Sequence, residues 1–400
     1  MSATKIVVSG AARTPIGAIG GGLSSLNPRE LLLVAANAAV AHAKLDPRLI
    51  DYVAVGQGLQ DVRNMNLASV VKLRVGAPAT SPATTVQENC ASGAAAIHDI
   101  CRRLLLGEIH LGLAGGVESM SQFPRYLFQG RTAAQLYGSL ELVDGVQGAL
   151  ADPFLDKYPE GVLMGRLTED LVEKYAVSRE LQDLIAYNSH KNAIDAWEKG
   201  FFAYVTPVAV PHRKKTVTVA MDEGPKKLDM EYFQKQKPYF KKEGGTITNA
   251  NSSSVNDGAA SVVLTTEKYA KEVGLPILAE LKAFGNVGVP AEYMGEGAFK
   301  VLPKLFSKAS IGLSDVDYFE MNEAFAAVVG GATKDFPELQ LEKVNQWGSG
   351  VSLGHPVGCT GCRQVVDMVH QLRLRDKKIG VTSRCVGGGI GSGEVLIRYD

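Results

Sequence analysis

Short β-branched segments alternate with alanine- and leucine-rich segments at the start of this chain, and this alternation restricts the fold more than any other feature. KIVVSGAART is followed by RELLLVAANAAVAHAKL, then by IDYVAVGQG, a helical stretch from Ala91 to about Leu106, and LGLAGGVES. The first kind of segment is typical of buried strands and the second of helices. Strands that alternate with helices predict an α/β fold with a mostly parallel sheet covered on both faces.

The same order of segments recurs with weak similarity about 268 residues later. Three pairs match: LDPRLIDYVAVGQ with LSDVDYFEMNEA, SGAAAIHDICRRLLL with TGCRQVVDMVHQLRL, and LGLAGG with IGVTSR. Unrelated α/β segments resemble one another by chance, but three matches in one order favour a duplication. We therefore expect two similar halves, separated by a looser region between about Glu118 and Gly245.

The charges of the chain balance, with 42 Lys and Arg against 42 Asp and Glu. The net charge therefore gives no reason to expect nucleic acid or a membrane surface as a partner. The exception is local, because the segment from His212 to Lys242 carries nine basic and four acidic residues. This basic segment is either a solvated charged surface or a site for a phosphorylated ligand.

The two ends of the chain carry no recognisable targeting signal. MSATKIVVSG lacks the apolar core and cleavage site of a signal peptide, and the final IRYD is not a peroxisomal tripeptide. Nor does any stretch long enough to span a bilayer consist of uncharged apolar residues. These features predict a cytoplasmic protein without a membrane span, whose five cysteines are reduced.

Cys90 is the first candidate for chemistry. It follows the extended PATTVQ and directly precedes the predicted helix at Ala91. A thiol at a helix start lies near free backbone N–H groups and the positive end of the helix dipole, which lowers its pKa and favours the nucleophilic thiolate. The alternative is a small buried hydrophobe, as expected for Cys101 on the apolar face of the same helix.

His355 lies in the glycine-rich segment GHPVGCTG and is expected to project from the loop before a helix that begins at about Thr360. It is either a base or an ordinary surface residue. The CxxC pair Cys359 and Cys362 could, with His355 and Cys385, supply four zinc ligands. However, the chain has no second closely spaced ligand pair and Cys362 falls within the predicted helix, so we expect no metal.

Two further predicted strands end in polar or flexible residues. Cys385 is followed by three glycines in SRCVGGGIG, whose N–H groups are free to bind an anion or an oxyanion. Asn322 and Glu323 follow FEM at the carboxyl end of a predicted strand, where α/β sheets bind their ligands. The alternative for Asn322 is a cap on the following helix.

Together, the segments NCASG, NEAFA, GHPVGCTG and CVGGGIG resemble the thiolase family. SGAARTPIGAIGGG, GGVESMSQFP, LMGRLTEDL and NANSSSVNDGAA also follow in the family's order, so the similarity runs over nearly the whole chain. The resemblance implies an α/β, thiolase-like fold of two duplicated halves in five αβαβα layers. Residues 1–120, completed by about 245–272, would form the first half, 273–400 the second, and 121–244 an inserted loop domain that binds CoA.

The resemblance also implies roles for individual residues. Cys90 is the thiol that becomes acylated, His355 is the base that activates it, and Cys385 exchanges a proton with the substrate α-carbon or the leaving CoA thiolate. The N–H groups of Cys90 and Gly387 stabilise the tetrahedral intermediate. His355 and a water held by Asn322 stabilise the enolate of the second acyl-CoA.

Residues for substrate recognition follow from the same resemblance. Ser253 matches a serine that contacts pantetheine, and Lys226 stands where the family often has an arginine. The matches to the acyl pocket are Met164, Met294 and Phe325. Beside them, Leu163 replaces the histidine of short-chain members, and with Trp347 and Ser349 it shifts the expected substrate toward longer 3-ketoacyl-CoA.

We therefore expect an acyltransferase that cleaves 3-ketoacyl-CoA with CoA, as in fatty-acid β-oxidation, or that runs the reverse Claisen condensation. Alternatives are acetoacetyl-CoA formation from two acetyl-CoA, a ketosynthase or hydroxymethylglutaryl-CoA synthase of the same fold, and an acyl-CoA or lipid binder without catalysis. CoA is expected as a co-substrate, with no permanently bound cofactor. The resemblance implies a homodimer or homotetramer and leaves open a hydratase or dehydrogenase partner.

Overall fold

The computed structural model describes residues 4–128, 139–152, 161–213 and 215–400. The strands are β1 Ile6–Arg13, β2 Gly17–Ala18, β3 Tyr52–Gln57, β4 Ala83–Val86, β5 Leu111–Ser119, β6 Arg125–Tyr126, β7 Val143–Asp144, β8 Ala151–Asp152, β9 Val162–Leu163, β10 Val208–His212, β11 Lys215–Val219, β12 Asn256–Thr266, β13 Ala279–Gly288, β14 Tyr318–Met321, β15 Ile379–Val386 and β16 Ile390–Arg398. The α-helices are α1 Pro28–His42, α2 Leu67–Val75, α3 Ser92–Leu106, α4 Gly145–Ala149, α5 Met164–Tyr175, α6 Arg179–Glu198, α7 Met230–Gln234, α8 Glu267–Val273, α9 Gly297–Lys300, α10 Leu302–Ala309, α11 Ala326–Asp335, α12 Gly350–Leu353 and α13 Val357–Leu374.

The main sheet repeats one strand arrangement twice, in the order β14-β15-β16-β13-β1-β12-β5-β3-β4. In the first half β1 pairs with β12 and β12 with β5, both antiparallel, and β5 pairs with β3 in parallel. In the second half β13, β16, β15 and β14 are joined in the same way. The two halves meet where Val7 and Val8 of β1 lie opposite Glu280 and Ala279 of β13. The equivalent arrangement supports the duplication inferred from the repeated segments.

The prediction of a mostly parallel sheet is wrong. In the part of the main sheet that the structure describes, parallel pairing is limited to β3 with β4, β3 with β5, and β14 with β15. In each half the last strand in the chain, β12 or β16, is antiparallel to both of its neighbours. It lies between the first strand of that half and the parallel strands. The alternation in the first 120 residues could not reveal this, because β12 lies after the looser region.

The helices cover the two halves of the sheet and fill the space between them, and the five-layer prediction is thereby confirmed. Residues of β3 alternate between two apolar clusters: Val53 and Val55 pack with α1 and α2, whereas Tyr52 and Ala54 pack with α3 and α13. Helices α9 and α10 pack on the strands of the second half. The layers are thus α1 and α2, the first half of the sheet, α3 with α13, the second half, and α9 with α10.

Glycines allow the beginnings of the two central helices to touch. A Cβ built on Gly93 would lie 2.8 Å from the carbonyl oxygen of Gly358, and one built on Gly361 would lie 2.7 Å from the backbone nitrogen of Ala94. Real Cβ atoms do not approach that closely, so a larger residue at either position would separate α3 from α13. Since Cys90 precedes α3 and His355 precedes α13, this crossing brings their loops together.

Between β5 and β12 the described chain forms short paired strands and helices that range from five residues in α4 and α7 to 20 residues in α6. The two-stranded sheets β6–β7, β8–β9 and β10–β11 accompany α4 to α7. Residues 129–138 and 153–160 of the predicted loop domain, and Lys214 of the basic segment, lie outside the described residues. None of the described helices is long and apolar enough to cross a membrane.

Candidate active site

Cys90 lies in a single 3-10 turn, Asn89–Ala91, directly before α3. Asn89 has a φ of 43°, a left-handed conformation that asparagine tolerates better than most residues. Its side-chain Nδ2 donates to the carbonyl of Gly387 at 3.0 Å, and Ser92 Oγ donates to the carbonyl of Asn89 at 2.7 Å. The turn that carries Cys90 is therefore attached to the glycine turn that follows β15.

The surroundings of Cys90 favour its neutral thiol in the free protein. Burial raises its pKa to about 11, although it accepts hydrogen bonds from the backbone N–H of Gly387 and from its own N–H, which lower it. The nearby carboxylate of Glu118 raises the pKa further. The expectation of a depressed pKa at a helix start is wrong here, because the loss of hydration outweighs the N–H groups.

Cys385, the last residue but one of β15, lies beside Cys90. Ala91 and Val386, which follow the two thiols, pack together in one apolar cluster. Burial raises the pKa of the Cys385 thiol, and its proximity to Cys90 raises it again. A Cβ on Gly387 would lie 3.0 Å from Cε of Met164, so a larger residue there would press on the flexible end of that side chain. The structure thus brings the two predicted thiols and Gly387 together.

His355 is held in one tautomer. Its Nδ1 lies 2.6 Å from Oγ1 of Thr360, and that hydroxyl donates to the carbonyl of Pro356 at 3.1 Å. Because the hydroxyl hydrogen is already used, Thr360 accepts from Nδ1–H, and Nε2 carries the lone pair. Burial lowers the pKa of His355 to about 3, and the charge of Arg363 lowers it further. The neutral imidazole is therefore favoured at pH 7, and its unprotonated Nε2 has no hydrogen-bond partner among the described residues.

Asn322 follows β14 and is fully buried. Its backbone N–H donates to the carbonyl of Ser383 at 2.8 Å, whereas its side-chain Oδ1 and Nδ2 have no partner within the part of the chain that the structure describes. Buried amides are rarely left unpaired without a water or ligand. The neighbouring Glu323 is satisfied, since Ser189 Oγ donates to it at 2.5 Å and Asn345 Nδ2 at 2.6 Å. Asn322 is therefore the member of this pair that is free to bind something.

A cavity of about 840 Å³ runs from the surface to His355. The exposed Ile19 and Tyr239 line its outer part. Four of the predicted recognition residues line the same cavity: Leu163, Met164, Ser253 and Phe325. Its walls are mainly apolar or aromatic near Phe325, whose ring lies edge-on to that of Phe240 with the ring centres 5.9 Å apart. A mostly apolar cavity with an unprotonated ring nitrogen on its wall can hold a flexible, largely apolar ligand.

Four predicted recognition residues do not line this cavity. Met294 is buried in the apolar cluster of the second half, with Phe299 and Val328. Lys226 is exposed, and its backbone N–H donates to His190. Trp347 and Ser349 also lie elsewhere: Trp347 stacks on Phe201, and Ser349 donates to Glu320 at 2.5 Å. These four residues therefore do not touch a ligand in this cavity directly.

The CxxC pair belongs to the core. Cys359 and Cys362 are buried free thiols within α13, and Cys362 packs against Gly93 at the helix crossing. The described residues contain no group of three or more His, Cys, Asp and Glu side chains arranged to hold a metal ion. The structure therefore gives the pair a packing role and does not support the zinc alternative.

Sequence reasoning missed two residues that shape the site. Thr360 fixes the tautomer of His355, and its position one helical turn after Pro356 in GHPVGCTG was a usable signal. Glu118 accepts hydrogen bonds from the backbone of Gly58, Leu59 and Gly358, at distances of 2.9 to 3.1 Å for its Oε2 atom. No local pattern indicates these partners, because the three donors come from distant parts of the chain.

Comparison with known proteins identifies the family of this chain. The family model described as Thiolase, N-terminal domain matches residues 6–268, and Thiolase, C-terminal domain matches residues 275–398. A probable acetyl-CoA acyltransferase of Staphylococcus aureus is 36% identical over 99% of this chain and 100% of its own length. The crystal structure of the Bacillus anthracis acetyl-CoA acetyltransferase covers 99% of both chains with a TM-score of 0.94 and 38% identity. Human mitochondrial 3-ketoacyl-CoA thiolase in complex with CoA covers 99% of this chain and 98% of its own, with a TM-score of 0.93 and 33% identity.

Both family models together span almost the entire chain, and the relatives match over their full length. The resemblance carried by the motifs NCASG, NEAFA, GHPVGCTG and CVGGGIG is thereby confirmed. The chain belongs to the thiolase family of acyltransferases.

Proposed function

We propose that this protein cleaves 3-ketoacyl-CoA with CoA through an acyl-Cys90 intermediate, releasing acetyl-CoA and a shortened acyl-CoA. One observation carries the proposal, namely that four groups lie together. The Cys90 thiol accepts a hydrogen bond from the backbone N–H of Gly387 and lies beside a second thiol, Cys385. The loop of His355 contacts the loop of Cys90 where α3 crosses α13. A nucleophile, an oxyanion donor, a second acid–base group and a neutral base are the parts that acyl transfer between thiols requires.

The first half-reaction forms the acyl-enzyme. Nε2 of His355 takes the proton of Cys90 as the sulfur attacks the 3-keto carbon, and the N–H groups of Cys90 and Gly387 stabilise the resulting oxyanion. The bond between the α-carbon and the keto carbon then breaks, which leaves an acyl group on Cys90 and an acetyl-CoA enolate. The thiol of Cys385 gives its proton to the enolate carbon, so acetyl-CoA is released and Cys385 becomes a thiolate.

The second half-reaction transfers the acyl group to CoA. The Cys385 thiolate takes the proton of the CoA thiol, and the CoA sulfur attacks the acyl-Cys90 thioester. Collapse of the tetrahedral intermediate releases the shortened acyl-CoA, and the Cys90 sulfur regains its proton from His355. Asn322, whose side-chain amide is unpaired, would hold the water that shares the enolate oxygen with His355.

The pKa values favour a neutral thiol and imidazole before substrate arrives. With a pKa of about 11, roughly one Cys90 in ten thousand is ionised at pH 7. The pKa of His355, lowered to about 3, disfavours a preformed imidazolium. Proton transfer from Cys90 to His355 therefore accompanies attack on the carbonyl, when the oxyanion donors compensate the new charge.

For substrate recognition we propose that the pantetheine arm occupies the cavity past Ser253 and that the acyl chain lies against Leu163, Met164 and Phe325. CoA then serves as a co-substrate with no permanently bound cofactor. The proposed loop domain, residues 121–244, would bind the nucleotide end outside the cavity, where Lys226 is exposed as a point charge for a phosphate. Met294 would act only indirectly, by supporting the wall behind the acyl chain.

Condensation of two acetyl-CoA is the second candidate, because the Bacillus anthracis relative is named an acetyl-CoA acetyltransferase. Thiolysis rates with acetoacetyl-CoA, a medium-chain and a long-chain 3-ketoacyl-CoA distinguish the two. We expect turnover that increases beyond the four-carbon substrate, and a preference for acetoacetyl-CoA would favour the biosynthetic alternative. Cys90→Ser is the control, and equal turnover by that variant would overturn the mechanism.

We also propose a cytoplasmic homodimer or homotetramer, which works beside a hydratase or dehydrogenase in β-oxidation. The oligomer is supported by β4, a partly exposed strand at the edge of the main sheet, since open edges favour pairing between chains. Sedimentation of the purified protein tests this proposal, and a monomer at micromolar concentration would contradict it.

A further inference from the structure

The carboxylate of Glu118 lies buried at the meeting point of three loops and takes no part in the steps proposed above. Glu118 is in β5 and is 1% exposed. Its Oε2 accepts the backbone N–H of Gly58 at 3.0 Å, of Leu59 at 3.1 Å and of Gly358 at 2.9 Å. Gly58 and Leu59 follow β3, whereas Gly358 is the second residue of α13 and lies three residues after His355. One carboxylate thus joins the first half of the fold to the loop that carries the base.

The same junction extends to the segment that carries the nucleophile. Gln87 Nε2 donates to the carbonyl of Gly58 at 2.6 Å, and Gln87 lies three residues before Cys90. A Cβ on Gly58 would lie 3.4 Å from the carbonyl oxygen of Asn89 and 2.8 Å from Cγ1 of Val357. Gly58 therefore fills the space between the segment before Cys90 and the segment after His355, and Glu118 holds it there.

The charge of Glu118 does not explain this placement. Burial raises its pKa to about 8, although the three N–H groups lower it, and the nearby Asp257 raises it. When Glu118 is ionised, its negative charge raises the pKa of Cys90 and also that of Cys359. A negative charge at this position opposes ionisation of Cys90, so Glu118 is not placed here to favour the thiolate. The placement of Glu118 is explained instead by its hydrogen bonds, because its Oε2 accepts three backbone N–H groups from two loops.

We propose that Glu118 is a positioning residue that fixes the His355 loop against the Cys90 loop, so that Nε2 of His355 reaches the Cys90 proton. This inference rests on the proposed function, in which His355 activates Cys90. Loss of Glu118 should then resemble loss of His355, because misplacement by about 1 Å can cost on the order of 100-fold in rate.

The test measures the rate at which acetyl-CoA acylates Cys90, between pH 6 and 9, by the mass of the Cys90 peptide. The variants are Glu118→Ala, Glu118→Gln, His355→Ala and the double variant Glu118→Ala/His355→Ala. We expect Glu118→Ala to slow acylation by about 100-fold, and the double variant to be no slower than His355→Ala alone. A double variant slowed by the product of the two single effects would overturn the proposal.

Glu118→Gln covers the case in which the alanine variant does not fold. The amide keeps one acceptor oxygen but places NH₂ toward the N–H of Leu59, so we expect a loss of about 10-fold with the same non-additivity. Acylation of His355→Ala at the wild-type rate would refute the proposed function itself, and the positioning role with it. If His355→Ala slows acylation as expected but its effect adds to that of the Glu118 substitutions, only the positioning role would be refuted.

Glu169 provides a matched control for the loss of a buried carboxylate. It is 1% exposed and accepts the backbone N–H groups of Thr246 at 2.9 Å and Ile247 at 2.8 Å, far from both catalytic loops in sequence. We expect Glu169→Gln to lower the melting temperature as Glu118→Gln does, while acylation stays within about threefold of wild type. Equal slowing by both variants would show that Glu118 only stabilises the fold.

Discussion

Replacing Thr360 by valine tests how His355 is kept as a base. The hydroxyl of Thr360 lies 2.6 Å from Nδ1 of His355, and both side chains are buried, so no bulk water can replace it. Valine has nearly the same shape but leaves Nδ1–H unpaired. A buried donor without a partner costs about 1–3 kcal/mol, and the cost falls when the proton moves to Nε2. The variant should therefore favour the tautomer that cannot accept the Cys90 proton.

The expected loss of activity follows from that cost. A penalty of about 1–3 kcal/mol corresponds to a roughly 5- to 150-fold decrease in kcat, because 1.36 kcal/mol is tenfold in rate. Thr360→Ser is the matched control, since it keeps the hydroxyl and removes only a methyl group. Steady-state thiolysis of a 3-ketoacyl-CoA, with thermal unfolding of each variant, provides the assay. If Thr360→Val were as active as Thr360→Ser, the hydroxyl would not select the tautomer and the reasoning would be refuted.

Three further predictions concern the nucleophile and its pocket. Gly387→Ala should slow acylation of Cys90 by less than about tenfold, because alanine keeps the backbone N–H and its Cβ would meet only the flexible end of Met164; a single-turnover assay that finds a loss of about 100-fold, the size expected for losing the donor itself, would contradict this. Met164→Ala should raise kcat/KM for branched or longer acyl chains relative to acetoacetyl-CoA, since Met164 lines the cavity; an unchanged ratio would exclude it from the acyl pocket. The rate at which iodoacetamide alkylates Cys90 in the free enzyme should rise about tenfold per pH unit from pH 7 to 10, because the pKa of the thiol is raised to about 11 and only the thiolate reacts. A rate that reaches a plateau below pH 8 would instead indicate a preformed ion pair between Cys90 and His355.

The sequence was sufficient for the family and for the residues that surround the nucleophile. NCASG and CVGGGIG lie almost 300 residues apart, yet the duplicated pattern and the motifs together predicted that Cys90, Cys385 and Gly387 meet. The structure brings them together because β15 contacts the turn before α3. The motifs carried this information because Cys90 lies in the turn directly before α3, and Cys385 and Gly387 lie on either side of the end of β15.

Burial and long-range hydrogen bonding could not be predicted in the same way. The pKa of Cys90 depends on how much water the assembled fold excludes, which the position before a helix does not reveal. Glu118 accepts hydrogen bonds from three backbone N–H groups in segments that are distant in the sequence. Likewise, the exposure of Lys226 and the burial of Met294 away from the cavity depend on how the whole chain packs. The segment that contains β12 was assigned to the first half, but its antiparallel pairing could not be predicted because a strand's direction depends on its partners in space.

Mass spectrometry of the protein after exposure to an acyl-CoA, without CoA as second substrate, tests the central claim most directly. The account predicts one acyl group on the peptide that contains Cys90, its loss as acyl-CoA when CoA is added, and no acyl group in Cys90→Ser. An acyl group on a different thiol, or a Cys90→Ser variant that still forms the thioester, would contradict the assignment of Cys90 as the nucleophile.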